Sequence, residues 1–534
     1  MIKRRNPISR NIWWLLAIVI VLGVSSNFFF MKHMPEQTLE PTSHEAQSSN
    51  PIGPVLDIQT WKTTRGLNTF YLPIETLPIV DIQLVFSAGS VYDGATSGLA
   101  QLTNQMIAKN TSQLTTDTIT EIFESLGAQV GRNVTRDASS ISLRTLSFDD
   151  ERQQSITLLA DVLRDIFFSE TTFSIEKQQL LTQLTAQAQS PQAQSMKTFY
   201  SKIYGTHPYA SPVTGTLESV NALNLALVRE FFYRYYNLNN AKLIIVGDVT
   251  TEEAQQIAEQ FDAALNPGDL PAPLPVVELP AATIIEHVHF PSAQTHILVG
   301  LPTMEKGNPD FFAFYLGNEI LGGSGLSSQL FEIVREQQGL AYSVASQLIP
   351  LKQKGPFVIG LQTRSDASAQ ALDLVQSHLT QFIENGPSQE ELDKTKQNIS
   401  GQFLMAFNSN AAIAQNIAVL AFYDLPLDYY NQYLENINAV TLFDIRRAFH
   451  TYVGSQNKVT VTLGVGEVNN TQDRLPPVIE MLPPVDPPVN SPQVEDPGTQ
   501  PAVNSTLVDQ PSTTPIEPPV NLPQLETSTP QHAE

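Results

Sequence analysis

The chain of 534 residues contains no cysteine. Disulfide bonds, thiolate metal sites and cysteine nucleophiles are therefore excluded. Positive charge is also scarce, because 30 Lys and Arg residues stand against 53 Asp and Glu residues and give a formal net charge of -23. Such a surface repels phosphate, so nucleic acid is not an expected partner. The serine-hydrolase motif G-x-S-x-G is absent as well.

A short cluster of positive charge lies at the N terminus. Residues 1–11 contain a cluster of Lys and Arg, and residues 12–30 form an apolar run. About 19 apolar residues are enough to span a bilayer as a helix. Because a basic flank stays in the cytoplasm, we expect a single membrane anchor with the remaining chain on the opposite side. A cleaved signal peptide is the alternative, since Val24 and Ser26 form a small-residue cleavage pattern.

Two further segments have the composition of connecting or terminal regions. Residues 31–54 are polar and contain proline, which is typical of a flexible linker. Residues 469–534 are rich in proline and acidic side chains, a composition that buries no core and predicts a disordered tail. The folded part of the chain is therefore expected between residues 55 and 468.

This folded part contains an internal repeat. Segment 222–249 aligns with segment 439–466, and a constant spacing of 217 positions extends the match upstream without a gap for more than 60 residues. The equivalent pairs are Phe232 and Phe449, Asn240 and Asn457, Glu176 and Asp393 and, at an offset of about 214, Asn104 and Asn318.

The repeat divides the folded part into two domains, residues 55–265 and 284–468, joined by a Pro-rich linker at 266–283. Each domain begins with an apolar strand, continues with helices and a second strand group, and closes with another apolar strand. The predicted fold class is α+β, in duplicate.

Three stretches resemble a known family. They are GSVYDGATSGLAQLTNQMIAKNT, HPYASPVTGTLESV and LGGSGLSSQLFEIVREQQGLAYSVAS. Together they resemble the pitrilysin or insulinase-like zinc peptidases of family M16, in the two-chain processing-peptidase branch. The resemblance covers nearly all of residues 55–468 and implies two LuxS/metallohydrolase-like domains that form one half of a clamshell.

The zinc motif of this family is degenerate here. Active members carry His-x-x-Glu-His on the first helix, in which the histidines bind zinc and the glutamate activates water, and a later glutamate completes the site. The matching positions are Gln101, Asn104, Gln105 and, further along, Gln183. Amides do not ionise and are poor zinc ligands, so no metal or other cofactor is expected on this chain.

The second domain retains two residues that matter in the family. In the two-chain branch, the subunit without zinc supplies an Arg and a Tyr to the site of its partner, and the matching residues are Arg335 and Tyr342. A guanidinium can hold a substrate carbonyl, and a phenol can donate to a developing oxyanion. The alternative is a surface ion pair between Arg335 and Glu336 and a tyrosine packed in the core.

Two other patterns call for an interpretation. Gly322, Gly323 and Gly325 resemble the glycine-rich segment that borders the peptide channel in relatives, where glycine permits backbone movement. His287 and His289 would share one face of a strand, but no acidic partner has metal-site spacing to them, and we interpret them as surface or core histidines.

The resemblance implies a membrane-anchored, zinc-free subunit of a periplasmic heterodimer. Zinc is expected in a partner homologue, and Arg335 and Tyr342 would assist cleavage of an extended peptide or protein held as an added strand. An M16-fold scaffold that binds peptides or proteins without proteolysis is the alternative. An autonomous hydrolase with an unrecognised site is a third hypothesis.

Overall fold

The computed structural model describes residues 56–466, so the predicted anchor, spacer and tail lie outside the described residues. Within this range the chain forms two α+β halves, each built on one sheet with helices packed against it. The elements of the first half are β1 (Gln59–Lys62), β2 (Asn68–Pro73), β3 (Ile79–Phe86), α1 (Leu99–Met106), α2 (Thr116–Ser125), β4 (Gln129–Val134), β5 (Ser139–Leu146), α3 (Asp149–Arg164), α4 (Glu170–Ala188), α5 (Pro191–Tyr204), α6 (Leu217–Ala222), α7 (Leu225–Tyr235), β6 (Ala241–Gly247) and α8 (Thr251–Ala264).

The first-half sheet has the strand order β1-β2-β6-β3-β5-β4. Neighbouring strands are antiparallel except β2 and β6, which are parallel. The central strand β3 has the sequence IVDIQLVF and is buried along almost its whole length. Because the strand is covered on both faces, its two polar side chains are buried as well, and each has a partner: Asp81 pairs with Arg144 and Gln83 with Gln415.

The second half repeats the arrangement with one strand fewer. Its elements are β7 (Ile284–His289), β8 (Gln294–Met304), α9 (Phe311–Asn318), β9 (Ala341–Leu348), β10 (Gly355–Arg364), α10 (Ser368–Asn385), α11 (Gln389–Phe403), α12 (Asn410–Phe422), α13 (Tyr433–Ala439), α14 (Leu442–Phe449) and β11 (Val459–Gly464). The sheet order is β7-β11-β8-β10-β9, which leaves β9 at an edge with β10 as its only neighbour. Two π-helical turns, Glu319–Gly323 and Phe331–Gln337, separate α9 from β9.

Each half also covers the sheet of the other half. Helix α12 packs on β3 and β6, and helix α5 packs on β8 and β11. The sequence of α12, NAAIAQNIAVLAF, is apolar on nearly all sides, as a helix enclosed between two halves requires. Both sheets are therefore buried on both faces over most of their area.

A buried carboxylate joins the two halves where their equivalent turns meet. Asp137, in the turn between β4 and β5, accepts hydrogen bonds from the hydroxyls of Tyr209 and Tyr423 and, at 2.8 Å, from the backbone N–H of Lys352. Lys352 lies in the turn between β9 and β10, and Tyr423 ends α12. Burial raises the pKa of Asp137, and these three donors counteract part of that effect.

The internal repeat is present, but the gapless alignment across α4 is wrong. Lys177 donates to the carbonyls of Asn221 and Leu223, and an equivalent lysine, Lys396, donates to those of Asn438 and Val440. The caps of α4 and α11, residues 169 and 388, agree with this pairing. Helices α4 and α11 are thus 219 positions apart. The caps of α7 and α14, residues 224 and 441, keep the spacing of 217. The first half therefore has two extra residues between these segments.

Length and apolar composition determine whether a helix can cross a membrane. Among residues 56–466, no single helix is both long and apolar enough to cross a membrane. One pair, Gln389–Phe407 with Asn410–Phe422, meets these criteria jointly but is bent by 106°. The predicted anchor at residues 12–30 lies outside this range.

Candidate functional site

Helix α1 carries the degenerate motif in a fixed orientation. Asp93 accepts hydrogen bonds at 2.7 Å from the backbone N–H groups of Gly98 and Ala100, at the start of this helix. Gln101 and Asn104 are buried on the helix. Because its start and its buried face are both held, α1 presents these amides as part of the core.

Asn104, at the position of the family's general base, is committed to structural hydrogen bonds. Its Nδ2 donates to the carbonyl of Ser140 and to the hydroxyl of Tyr236, each at 3.2 Å. Tyr236 is itself buried, and this burial raises its pKa. A neutral amide is not a base near neutral pH, and both N–H groups of this one already donate to protein oxygens. Asn104 therefore cannot take a proton from water.

The remaining motif positions are also amides. Gln105 has a buried Oε1 without a hydrogen-bond partner among residues 56–466, and Gln183 is half-buried on α4, which packs against α1. On the same helix, Glu176 is buried and forms a 2.9 Å ion pair with Lys109. Its carboxylate is therefore neutralised within the chain.

The donor set at these four positions does not fit catalytic zinc. Three glutamines and one asparagine provide no imidazole and no carboxylate, which are the ligands that zinc requires here. Across the described range 56–466, no group of three or more His, Asp and Glu side chains has the geometry to hold a metal ion. No catalytic step is assigned to the first half.

Arg335 and Tyr342 come together in the second half. The Arg335 guanidinium lies 4.6 Å from the ring centroid of Phe331 and 5.9 Å from that of Tyr342. Both Arg335 and Tyr342 are exposed, and the tyrosine is 70% accessible to solvent. Stacking on two rings holds the cation in place by cation–π attraction.

The edge strand β9 explains why Tyr342 projects from the surface. Ala341 pairs with Thr363 and Ser343 pairs with Gln362, so Tyr342 has no residue opposite it. A β-bulge of this kind reorients the side chain of the extra residue. The core-packed tyrosine that the sequence left as an alternative is therefore wrong.

The ion pair between Arg335 and Glu336 is absent too. Within residues 56–466, no carboxylate lies within ion-pair distance of Arg335. The positive charge is thus available to a ligand, and the neighbouring phenol is available as a hydrogen-bond donor.

The glycine-rich segment lies beside this pair. The first π-helical turn and the second both pack against β9, and Gly325 begins a short turn that contacts the second. A β-carbon at Gly322 would lie 2.6 Å from the backbone N of Ser346, so this glycine is required for close packing. Gly325 is exposed. The role of the segment in a peptide channel stays a prediction.

The histidines have structural contacts. His287 Nδ1 lies 2.9 Å from the hydroxyl of Thr462 on the neighbouring strand, and His289 ends β7.

Glu319, directly after α9, is a buried acid that the sequence analysis did not identify. Its only signal is a single carboxyl in the otherwise apolar run FFAFYLGNEILGG.

Comparisons with known families agree with this arrangement. The family model described as Insulinase (Peptidase family M16) matches residues 73–217, and the model described as Peptidase M16 inactive domain matches residues 222–399. The motif positions on α1 and α4 fall within the first match, and Arg335 and Tyr342 fall within the second.

Solved structures and curated relatives are also similar to this chain over most of its length. A crystal structure of a peptidase M16 inactive domain from Pseudomonas fluorescens is 34% identical, has a TM-score of 0.74, and covers 77% of this chain and 98% of that chain. The non-peptidase homolog YmxG of Helicobacter pylori is 26% identical over 69% of this chain and 85% of its own length. An uncharacterized zinc protease of Rickettsia bellii is 26% identical over 68% and 88%. The chain therefore belongs to the M16 peptidase family.

Proposed function

We propose that this chain is a non-catalytic M16 subunit that pairs with a separate zinc-bearing homologue and presents Arg335 and Tyr342 to the substrate. The carrying observation is that these two side chains are exposed together while no acidic side chain of residues 56–466 neutralises the arginine. In the heterodimer, the partner would hold the zinc. The N-terminal segment would anchor the pair to the inner membrane, with its bulk in the periplasm.

The chemistry of the pair fits transition-state assistance. Attack by water on a peptide carbonyl places negative charge on the carbonyl oxygen, and a phenol hydroxyl with an adjacent guanidinium can stabilise that charge. Because Tyr342 lies on β9 and Arg335 stacks on the rings of Phe331 and Tyr342, little conformational entropy would be lost when substrate binds. The substrate would be an extended peptide or protein segment.

A non-proteolytic scaffold is the second candidate function. It is favoured by Asn104, whose amide is fixed by Ser140 and Tyr236, and by the similarity to a relative named a non-peptidase homolog. A scaffold of this kind would bind peptides or proteins but would have no use for an exposed Arg–Tyr pair.

Co-expression distinguishes the two functions. The full-length protein is purified alone and together with a zinc-motif homologue from the same source, and bound zinc and cleavage of an unstructured peptide are measured. We expect zinc and cleavage in the pair. A pair that forms without cleavage, or no pairing at all, would favour the scaffold.

Substitutions then test the two residues. Arg335→Ala and Tyr342→Phe should each lower the cleavage rate on the order of 10- to 100-fold, without dissociating the pair. Matched controls are Arg364→Ala, which removes an exposed arginine paired with Asp366, and Tyr233→Phe, which alters a tyrosine that is 56% exposed. Parental rates for both test variants would rule out the assisting role.

A further inference from the structure

The second half contains a polar cluster at the positions equivalent to the degenerate zinc motif. Asn318 ends α9 and matches Asn104, so the next residue, Glu319, matches Gln105. The spacing of 219 positions between α4 and α11 carries Gln183 onto Gln402. Helix α11 packs against the π-helical turn that begins at Glu319, as α4 packs against α1.

The acceptor groups of this cluster are not satisfied by the protein. Asn318 is 3% exposed, and its Oδ1 has no hydrogen-bond partner among residues 56–466. The Oε1 of Gln402 is buried and equally without a partner in that range. Buried oxygens without donors cost free energy, so these oxygens are able to accept a hydrogen bond from water or to bind a cation.

Glu319 adds a negative charge to these oxygens. It is 6% exposed, and among residues 56–466 its carboxylate accepts one hydrogen bond, a 3.3 Å contact from Nδ2 of Asn318. No Lys, Arg or His of the described range 56–466 forms an ion pair with it. Burial raises the pKa of Glu319 to about 7. A carboxylate in this position lacks a positive partner.

Glycine lets the turn that follows α9 pack closely against Glu319 and Asn318. A β-carbon at Gly323 would lie 2.4 Å from Oε1 of Glu319 and 2.7 Å from Nδ2 of Asn318. Any side chain at this position would therefore occupy the volume in front of both groups. The segment that follows, Ser324–Ser327, is largely exposed and connects the cluster to solvent.

We propose that Asn318, Glu319 and Gln402 form a binding site for a hard divalent cation of the calcium class. All three side chains offer oxygen, the ligand atom that calcium prefers, whereas zinc and copper prefer nitrogen or sulfur. Calcium binds six to eight oxygens, and waters entering through the exposed segment would complete the shell. The site lies outside the first-half motif and does not depend on the proposed function.

Such a cation would connect α9, α11 and the glycine-rich turn. The turn Gly325–Ser327 packs against the helical turn that carries Arg335. Binding at Glu319 would therefore stabilise the segment next to the exposed Arg335 and Tyr342. The two sites would be coupled through this contact and through β9, against which both π-helical turns pack.

Terbium luminescence tests the site in the full-length protein. Terbium replaces calcium at oxygen sites, and Tyr315, which lies near Glu319, can sensitise its emission. After treatment with EDTA, the wild type should show saturable emission that calcium displaces, and calcium should raise the unfolding temperature. Absence of saturable emission, or of displacement by calcium, would overturn the proposal.

Glu319→Gln identifies the cluster as the source of the signal. This variant removes a buried unpaired charge, so it should fold at least as well as the wild type in EDTA, and its terbium affinity should fall at least tenfold. The matched control is Glu176→Gln, the buried first-half acid paired with Lys109, which should leave the emission unchanged. Equal emission from wild type and Glu319→Gln would overturn the assignment.

Asn318→Asp tests the site independently, because it should strengthen cation binding where Glu319→Gln weakens it. It replaces an amide ligand by a second carboxylate of nearly the same shape, so it should tighten terbium and calcium binding about tenfold. Unchanged or weaker binding in this variant would also contradict the site.

Discussion

The two halves of this chain carry equivalent helices, α1 and α9, whose asparagine side chains differ in their hydrogen bonding. In the first half, Asn104 is saturated by Ser140 and Tyr236, and the motif helix belongs to the core. In the second half, Asn318 keeps an unpaired oxygen. Both sites therefore keep a buried oxygen without a partner among residues 56–466, that of Gln105 in the first half and that of Asn318 in the second, but only the second has a carboxylate, Glu319, next to it.

Where packing alone matters, the halves remain alike. Lys177 and Lys396 make the same pair of contacts to backbone carbonyls, and helices α5 and α12 each cover the opposite sheet. The lysine contacts within each half and the helix packing between the halves are therefore shared by both copies of the repeat. Differences are concentrated around α1, α9 and β9.

The largest expected effect comes from breaking the junction between the halves. Asp137→Ala would leave the hydroxyls of Tyr209 and Tyr423 and the N–H of Lys352 without their acceptor in a buried site. We expect a loss of about 3–5 kcal/mol in the free energy of unfolding, measured by urea denaturation.

The control for this substitution is Asp424→Ala. Asp424 pairs with Lys242 but is 81% exposed, so its removal should cost under about 1 kcal/mol. Equal losses from the two variants would mean that the Asp137 network does not join the halves.

A second prediction tests whether the first-half site is truly structural. In Asn104→Asp, a carboxylate oxygen would replace the Nδ2 that donates to the carbonyl of Ser140, so two acceptors would face each other. We expect a loss of about 2–3 kcal/mol in thermal unfolding experiments. Asn239→Asp, at an exposed amide that donates to Gly268, should cost far less. A tolerated Asn104→Asp would indicate that the site is adaptable rather than fixed.

Sequence patterns predicted the duplicated α+β fold because apolar strands and helix caps leave a local signal. They also identified the neutral side chains at Gln101, Asn104 and Gln105, since residue type alone decides whether a group can bind zinc. The pairing of Arg335 with Tyr342 followed from family resemblance rather than from periodicity.

Other features depend on contacts between distant segments. The offset of 219 positions was missed because an alignment by residue identity matched Glu176 with Asp393, whereas the lysine contacts to backbone carbonyls fix the true register. Similarly, the exposure of Tyr342 arises from a bulge in the pairing of β9 with β10. Register of this kind is set by tertiary packing and is not encoded in the strand itself.

A third prediction concerns the glycine-rich segment, which has no counterpart in α1. Gly323→Ala would bring a methyl group against Glu319 and Asn318 and should destabilise the protein by about 1–3 kcal/mol. Gly325→Ala meets no atom, but its φ of +60° disfavours a side chain and should cost about 1 kcal/mol. Thermal unfolding of the two variants measures which substitution destabilises the protein more. The reverse order would mean that the space in front of Glu319 is not restricted.

The smallest effect is expected at two helix capping boxes, one in each half, at the starts of α8 and α14. Hydrogen bonding to Thr250, followed by the charge of Arg152, lowers the pKa of Glu253, and the same arrangement with Thr441 lowers the pKa of Asp444. An acid with a lowered folded-state pKa stabilises the protein above its unfolded pKa and loses that contribution as the pH falls through the folded value. Glu253→Gln should therefore cost about 0.5 kcal/mol at pH 7, with the difference from the wild type vanishing on acidification. Asp444→Asn should show the same pH dependence in urea denaturation. A stability difference from the wild type that grows toward acid pH, in either variant, would contradict this prediction.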